Sequence, residues 1–326
     1  MKKLLVIRFS SIGDIVLTTP VIRCMKQQMP DAEIHYLTKE QFVPVLAANP
    51  YIDKIFSIKR DIAEVIPRLK KENYDQVIDL HKNFRSKGVI IKLQKSFTTF
   101  NKINVKKWLI VRFKIDKLPR IHIVDRYFDA VKNLGLQNDQ KGLDYFIPKE
   151  DVVDLKTFPS GFQNGYIGWV IGGKHNTKIY PEEKIIEVLN CTKRPVVLLG
   201  GPEDREKGER IKKSSGEFVF NACGRFTINQ SASLVQQAEI IVTNDTGLMH
   251  FAAAFKKETI SLWGNTIPEF GMYPYLPGDA EKSTILEVKG LSCRPCSKLG
   301  FKECPKGHFK CMNDIDTQIL VHKLNS

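Results

Sequence analysis

The chain has 326 residues, 42% hydrophobic and 26% charged, a balance that excludes collagen, coiled coil and wholesale disorder and suits one large or about two ordinary globular domains. Lys and Arg number 50 against 36 Asp and Glu, a net charge of +14, which favours an anionic partner: nucleic acid, an acidic membrane face or a phosphorylated substrate. No run approaches the ~18 apolar residues that a bilayer span requires.

The start, Met1 to Arg8, mimics a signal peptide, but Arg8 interrupts its apolar run and no small-residue cleavage site follows, so a cytoplasmic protein is expected. Three of the seven cysteines (Cys24, Cys191, Cys223) are scattered among apolar neighbours. That fits a reduced compartment better than a disulfide scaffold.

Leu4 to Phe9 reads as a buried strand, Ser10 to Asp14 as a loop and Ile15 to Met29 as a helix. Glu33–Leu37, Lys54–Ile58 and Gln76–Leu80 follow as strands, with Ile62, Val65, Ile66 and Leu69 at helical spacing between the last two. Residues 90–130 are basic and weakly patterned, with a helix expected over Asp125–Leu134. Polar, Pro and Gly positions over 137–163 mark a crossing between domains.

The alternation then restarts. Strands are expected at Tyr166–Ile171, Pro195–Leu199, Ile240–Thr243 and Thr259–Trp263, and helices at Glu182–Leu189, Ile228–Gln237, from Leu248, and at Ile315–Leu324. Strand and helix in turn mean βαβ units and a parallel sheet. The α/β chain is therefore expected to form two Rossmann-like, doubly wound parallel-sheet domains facing a cleft, over residues 1–150 and 151–326, with the terminal helix crossing back to the first domain.

Ligands in such sheets bind beyond the carboxyl ends of strands, and three loops there carry unusual residues. In Ser10-Ser11-Ile12-Gly13-Asp14, Asp14 is either a first-turn acid stabilised by the helix dipole or a general base. Ser10 and Ser11 either cap the helix or bind substrate. In Thr243-Asn244-Asp245-Thr246-Gly247, a strand runs into a helix N-terminus suited to phosphate, with Asp245 read as the N-cap and the next N–H groups on the anion. Gly172-Gly173-Lys174 and Lys178 offer close backbone approach and positive charge, without P-loop spacing. Gly200-Gly201-Pro202-Glu203-Asp204 is a similar loop with acids, a position that often holds ribose hydroxyls.

These loops together resemble glycosyltransferase family 9, the ADP-heptose:lipopolysaccharide heptosyltransferases, and in particular its heptosyltransferase II-like members. The resemblance runs through Arg8 to Pro20, Asp79-Leu80-His81 with Asn83-Phe84-Arg85-Ser86, Lys178-Ile179-Tyr180-Pro181, Leu199 to Pro202, and Asn244 to His250. It implies a GT-B fold with the acceptor in the N-terminal domain and the nucleotide sugar in the C-terminal one. It also implies an inverting, metal-independent transfer of heptose from ADP-heptose to the lipopolysaccharide inner core, with no cofactor. Asp14 would be the catalytic base and Lys178 the diphosphate ligand, with the N–H groups at Thr246 and Gly247 on the same phosphates and Asp245 beside them in the donor site. Asp204, or Glu203 beside it, would face the ribose and Phe226 the adenine, while Ser10, Ser11, Gly13 and Arg85 would meet the acceptor. The anionic glycolipid acceptor would then explain the positive charge and place the protein peripherally at the inner membrane face of a Gram-negative bacterium.

Cys293, Cys296, Cys304 and Cys311, with His308, lie within 19 residues at spacing that resembles a structural zinc site. A metal-free loop of reduced thiols and a set of disulfides are the other readings. The cluster lies far in sequence from Asp14 and Lys178 and is given no catalytic part. Two other functions fit less well: a relative using another nucleotide sugar or acceptor, and a basic nucleic-acid-binding protein. The latter lacks a recognition helix, a stacking module or a basic arm in the sequence, so no nucleic acid is expected as a partner.

Overall fold

The computed structural model describes residues 2–325. The chain divides into two units: the first runs to Ile103 and resumes over Ile121–Phe146, and the second takes Asn104–Arg120 and the chain from Ile147 on. The last division falls between Phe146 and Ile147. The assignment of 104–120 to the second unit was not expected.

In the first unit, β1 (Lys3–Ile7), β2 (Glu33–Lys39), β3 (Lys54–Ile58), β4 (Gln76–Asp79) and β5 (Phe97–Thr99) form a parallel sheet in the order β3-β2-β1-β4-β5. The sheet grows outward from β1 to β3, then reverses, so that β4 pairs with the other edge of β1. Four of the five residues of β1 are buried, as a strand covered by helices on both faces requires. Leu5, Ile7, Phe9, Leu37 and Val77 share one core.

The helix expected over Ile15–Met29 is two helices, α1 (Ile12–Val16) and α2 (Thr19–Gln28). Pro20 stands in the first turn of α2, where a missing N–H is tolerated. Further along lie α3 (Ile66–Lys71), α4 (Phe84–Leu93), α5 (Asn104–Phe113) and α6 (Ile123–Phe128).

The second unit holds β6 (Ile167–Val170), β7 (Val196–Leu199), β8 (Val219–Asn221), β9 (Ile240–Asn244), β10 (Glu258–Trp263) and β11 (Ser283–Glu287), all parallel, in the order β11-β10-β9-β6-β7-β8. Here too the order reverses, between β6 and β9. Its helices are α7 (Glu182–Thr192), α8 (Arg205–Ser215), α9 (Ile228–Gln237), α10 (Gly247–Ala254), α11 (Lys310–Asn313) and α12 (Thr317–Asn325).

The terminal helix α12 buries Leu320 and Leu324 in the second unit's own core beside Ile185, Val188 and Leu189 of α7. Thr317 Oγ1 donates to Glu187 at 2.5 Å, and Arg194 Nη1 to the Leu324 carbonyl at 2.6 Å. Those contacts hold α12 on the second unit, where a crossing back to the first was expected. Among the described residues no helix is long and apolar enough to cross a membrane.

Candidate active site

An open doubly wound sheet binds ligands where its strand order reverses, because the loops diverge there and leave a crevice at the carboxyl ends. In the first unit that point lies between β1 and β4, whose last residues Ile7 and Asp79 are paired. The loop after β1 brings Ser10, Ser11, Gly13 and Asp14 there. Arg8 Nη2 lies 2.5 Å from Asp14 Oδ1, and Ser11 donates to Asp14 Oδ2 from its backbone N (3.1 Å) and its Oγ (2.7 Å).

Burial pulls the Asp14 carboxyl upward, but the Arg8 guanidinium and the Ser11 hydrogen bonds outweigh it and hold it at about 2. Arg8 is itself anchored, through Nη1 to the Leu80 carbonyl at 2.5 Å and Nε to the Ser10 carbonyl at 2.8 Å. Asp14 is thus both the first-turn acid of α1 and an ionised carboxylate at the reversal point.

The loop after β4 faces the same place. Asp79 Oδ1 accepts from the His81 and Lys82 backbone N–H groups (2.9 and 2.8 Å), and its Oδ2 accepts from Ser86 Oγ at 2.7 Å. Asn83 and Ser86 form a reciprocal capping box on α4. This turn sets Arg85 with its guanidinium 5.8 Å from the centre of the Phe9 ring.

It also sets His81 edge-on to Phe9 at 5.3 Å, with a buried Nδ1 that has no hydrogen-bond partner. Burial, reinforced by the Arg8 and Lys102 charges, holds the His81 imidazole down at about 3. Arg8 and His81 were named only as parts of motifs. The signal that would have singled them out is that each lies at the end of one of the two strands flanking the reversal.

His81 carries a pH signature. Its folded value lies below the ordinary 6.5, so the unfolded chain takes up the proton first. Folding stability is undiminished above pH ~6.5 and declines as pH falls toward ~3, by at most ~1.4 kcal/mol per pH unit. In His81→Gln the decline in denaturant midpoint between pH 7 and 4.5 is expected to be shallower than in the wild type. Parallel declines would refute the neutral, buried imidazole.

In the second unit the reversal lies between β6 and β9. Lys178, on a short turn after β6, reaches Asp245 after β9 at 2.6 Å, and Thr266 Oγ1, after β10, donates to the same Asp245 Oδ2 at 2.8 Å. Asn244 ties the loops together. Its Oδ1 accepts from the Tyr180 N–H at 3.0 Å, and its Nδ2 donates to the Val170 and Gly172 carbonyls at 3.2 and 3.1 Å.

Asp245 is not the N-cap expected of it. Thr246 occupies that position, and no side chain caps α10. Its first-turn N–H groups therefore remain open to an anion. Asn265 is 2% exposed, and neither its Oδ1 nor its Nδ2 has a partner. Buried amides are rarely left so, and this residue was not singled out from sequence.

Asp204 sits one loop over, buried against Gly172 and Gly200, its Oδ2 accepting from the Gly201 N–H at 2.8 Å. Burial raises its carboxyl. A Cβ on Gly172 would lie 2.0 Å from Asp204 Oδ2. Gly172→Ala is therefore expected to displace the Asp204 carboxylate and destabilise the fold by about 1–3 kcal/mol, read as a lower denaturant midpoint. An unchanged midpoint would show that the close approach is dispensable. Phe226 lies beyond β8 and stacks on Phe158 at 6.1 Å; it does not join the Lys178–Asp245 pair.

The cysteine-rich segment packs against these loops despite its distance in sequence. Arg294 donates to the Gly264 and Thr266 carbonyls at 2.6 and 2.8 Å and pairs with Glu287 at 2.6 Å. The Phe301 N–H donates to Thr177 Oγ1 at 2.8 Å, and the Phe301 carbonyl accepts from the Thr177 N–H at 3.2 Å. The segment thus braces both the Lys178 turn and the Thr266 loop.

All seven cysteines are free thiols. Cys293 Sγ lies 3.8 Å from His308 Nε2. Among the described residues, though, only Glu33, His35 and Glu72 bring three metal-ligand atoms within 4.8 Å of one another. Lys3 Nζ already bridges Glu33 and Glu72 there, at 3.0 Å from each. The thiol set thus has the chemistry of a zinc site but not the converged geometry.

Two doubly wound units in one chain, one presenting an ionised carboxylate at its reversal and the other a lysine beside an uncapped helix N-terminus, define a glycosyltransferase of the GT-B class. The model of "Glycosyltransferase family 9 (heptosyltransferase)" matches residues 62–304, and the chain belongs to that family. It is 24% identical to lipooligosaccharide heptosyltransferase 2 of Haemophilus influenzae over 99% of this chain and 98% of that one. Among solved structures it resembles a family 9 glycosyltransferase from Veillonella parvula (TM-score 0.77, 22% identity, covering 99% of this chain and 97% of that one). It also resembles the E. coli ADP-heptose lps heptosyltransferase II (TM-score 0.74, 22% identity, 100% and 98%).

Proposed function

We propose that this enzyme transfers a heptose from ADP-heptose to the inner core of lipopolysaccharide, with inversion at the anomeric carbon. The observation that carries the reading is the charge at the two reversal points: the ionised Asp14 in one unit, and Lys178 with the open N-terminus of α10 in the other. In one displacement, an acceptor hydroxyl oxygen bonds to the anomeric carbon as the bond to the diphosphate oxygen breaks. Asp14 takes the hydroxyl proton, and ADP leaves with the bonding electron pair.

Lys178, shared with Asp245, and the N–H groups at Thr246 and Gly247 hold the diphosphate and meet its growing charge. Asp204 takes ribose hydroxyls with the oxygen not bonded to Gly201, and Phe226 takes the adenine. In the first unit, residues 1–150 of the expected division, Ser10, Ser11, Gly13 and Arg85 meet the anionic acceptor; residues 151–326 hold the donor. No metal enters the reaction, because lysine and helix N–H groups supply the positive charge. No step is routed through Cys293, Cys296, Cys304 and Cys311. The reading places the enzyme in the cytoplasm of a Gram-negative bacterium, peripheral to the inner membrane.

The test is ADP release from ADP-heptose with truncated lipopolysaccharide core, with and without EDTA. Acceptor-dependent release untouched by EDTA is the expected result. If ADP raises the melting temperature and no release occurs, the donor sugar or the acceptor is a different one. If ADP does not bind, the reading falls.

A further inference from the structure

We infer that α5 is a membrane-surface anchor that lies on an anionic bilayer. In this helix only Ile110 is buried, while Val105 is 70%, Trp108 55% and Phe113 54% exposed. At 100° per residue, Val105, Trp108, Leu109, Arg112 and Phe113 fall on one face. The Trp108 and Phe113 rings meet edge-on at 5.1 Å. Ile115 and Ile121, each 46% exposed, carry apolar surface on past the helix.

The helix is fixed to the second unit through other side chains. Lys114 Nζ donates to the Cys293 and Pro295 carbonyls at 3.1 and 2.8 Å, the Lys107 ammonium lies 5.2 Å from the centre of the Phe270 ring, and Arg120 pairs with Glu269 at 3.5 Å. The apolar face is thus held out to solvent on a rigid mount, where burial would be favourable.

Charge identifies what covers it. Over 104–120 there are six Lys and Arg residues against Asp116 alone, a net +5. A face that buries itself against another protein is typically depleted in lysine, whereas Trp, Phe and Val interleaved with Lys and Arg suit the headgroup level of a bilayer. Each basic side chain near an anionic surface adds roughly fivefold to partitioning. At 10 residues the helix is too short to span, so it lies in the interface plane.

The inference deepens the proposed function by naming what keeps the enzyme beside a lipid-linked acceptor. Its test contains neither donor nor acceptor, so its failure and that of the transfer reading are distinguishable. The full chain is mixed with vesicles of phosphatidylcholine alone, or of phosphatidylcholine with phosphatidylglycerol, and sedimented. Trp169 and Trp263 are 0% and 1% exposed, so a change in tryptophan emission reports Trp108.

Phosphatidylglycerol vesicles are expected to carry the protein down and shift its emission to the blue, less so in high salt, while phosphatidylcholine vesicles do neither. Trp108→Ser with Phe113→Ser should lower partitioning at least about tenfold with an unchanged melting temperature. Lys106→Glu with Arg112→Glu should abolish the preference for anionic lipid while leaving Trp108 in place. The proposal is overturned if the wild type stays in solution with anionic vesicles at low salt, or if the serine variant binds as well as the wild type. It is equally overturned if the free chain is a dimer that the serine variant dissociates, for then a second copy covers the face.

Discussion

Asp14→Asn is expected to lower kcat by about 10²–10⁴-fold, the range for loss of a general base, and to leave ADP binding within about twofold, because Asp14 belongs to the other unit from the residues proposed to hold the diphosphate. The change keeps the shape and removes the proton acceptor. The wild-type carboxyl, held at about 2 by Arg8 and Ser11 against the effect of burial, is ionised throughout the working range. The pH profile of kcat/KM should therefore show no carboxylate limb above pH ~4, and an acid limb near 6 that Asp14→Asn removes would contradict the low value. Retention of more than about a tenth of wild-type kcat in the variant would sink Asp14 as the base. Arg8→Met offers a second view: with the guanidinium gone, burial is opposed only by the Ser11 hydrogen bonds, the carboxyl rises, and an acid limb should appear.

Lys178→Met is expected to lower kcat by about 10²–10³-fold and to weaken ADP, because a preorganised cation at a leaving group acts mostly on the transition state. It also strips the Asp245 carboxylate of its 2.6 Å partner, leaving Thr266 Oγ1 as its remaining side-chain donor. A half-buried carboxylate without its cation destabilises the fold. The stability loss and the catalytic loss separate in the double variant: Lys178→Met with Asp245→Asn should recover most of the melting temperature and none of the turnover. Recovery of both would mean that the pair only shapes the loop.

Much of the fold was legible because strands buried on both faces advertise themselves. Lys54–Ile58 and Ile228–Gln237 fall where periodicity placed them. Among the elements that escaped were β5, β8 and β11, short or half-buried strands without an apolar run, the helices α4, α8 and α11, and α5, whose apolar residues face outward and do not mark a core. The break between α1 and α2 was hidden because a helical stripe continues through it, although Pro20 stood in plain view.

The candidate site divides in the same way. The types of the loop residues, and their placement after predicted strands, singled out Asp14, Lys178 and the Thr246–Gly247 turn. Periodicity is silent about Asn265, whose significance is that its amide is buried without partners. It is silent too about Arg294, which lies inside a cysteine cluster that drew attention to its thiols.

Residue order along the chain thus determined the alternating α/β pattern, its two halves, the family and the loops that carry charge, because these are properties of neighbours in sequence. Strand order was decided only in three dimensions, and with it the fact that the loops after β1 and β4, and those after β6 and β9, stand at the reversals. So were the pairing of Lys178 with Asp245, 67 positions apart, the holding of α12 on the second unit, and the bracing of the Lys178 turn by a segment 124 residues away. Contacts of that range are selected by how packed elements meet, and neither composition nor spacing encodes which of the many compatible partners is chosen.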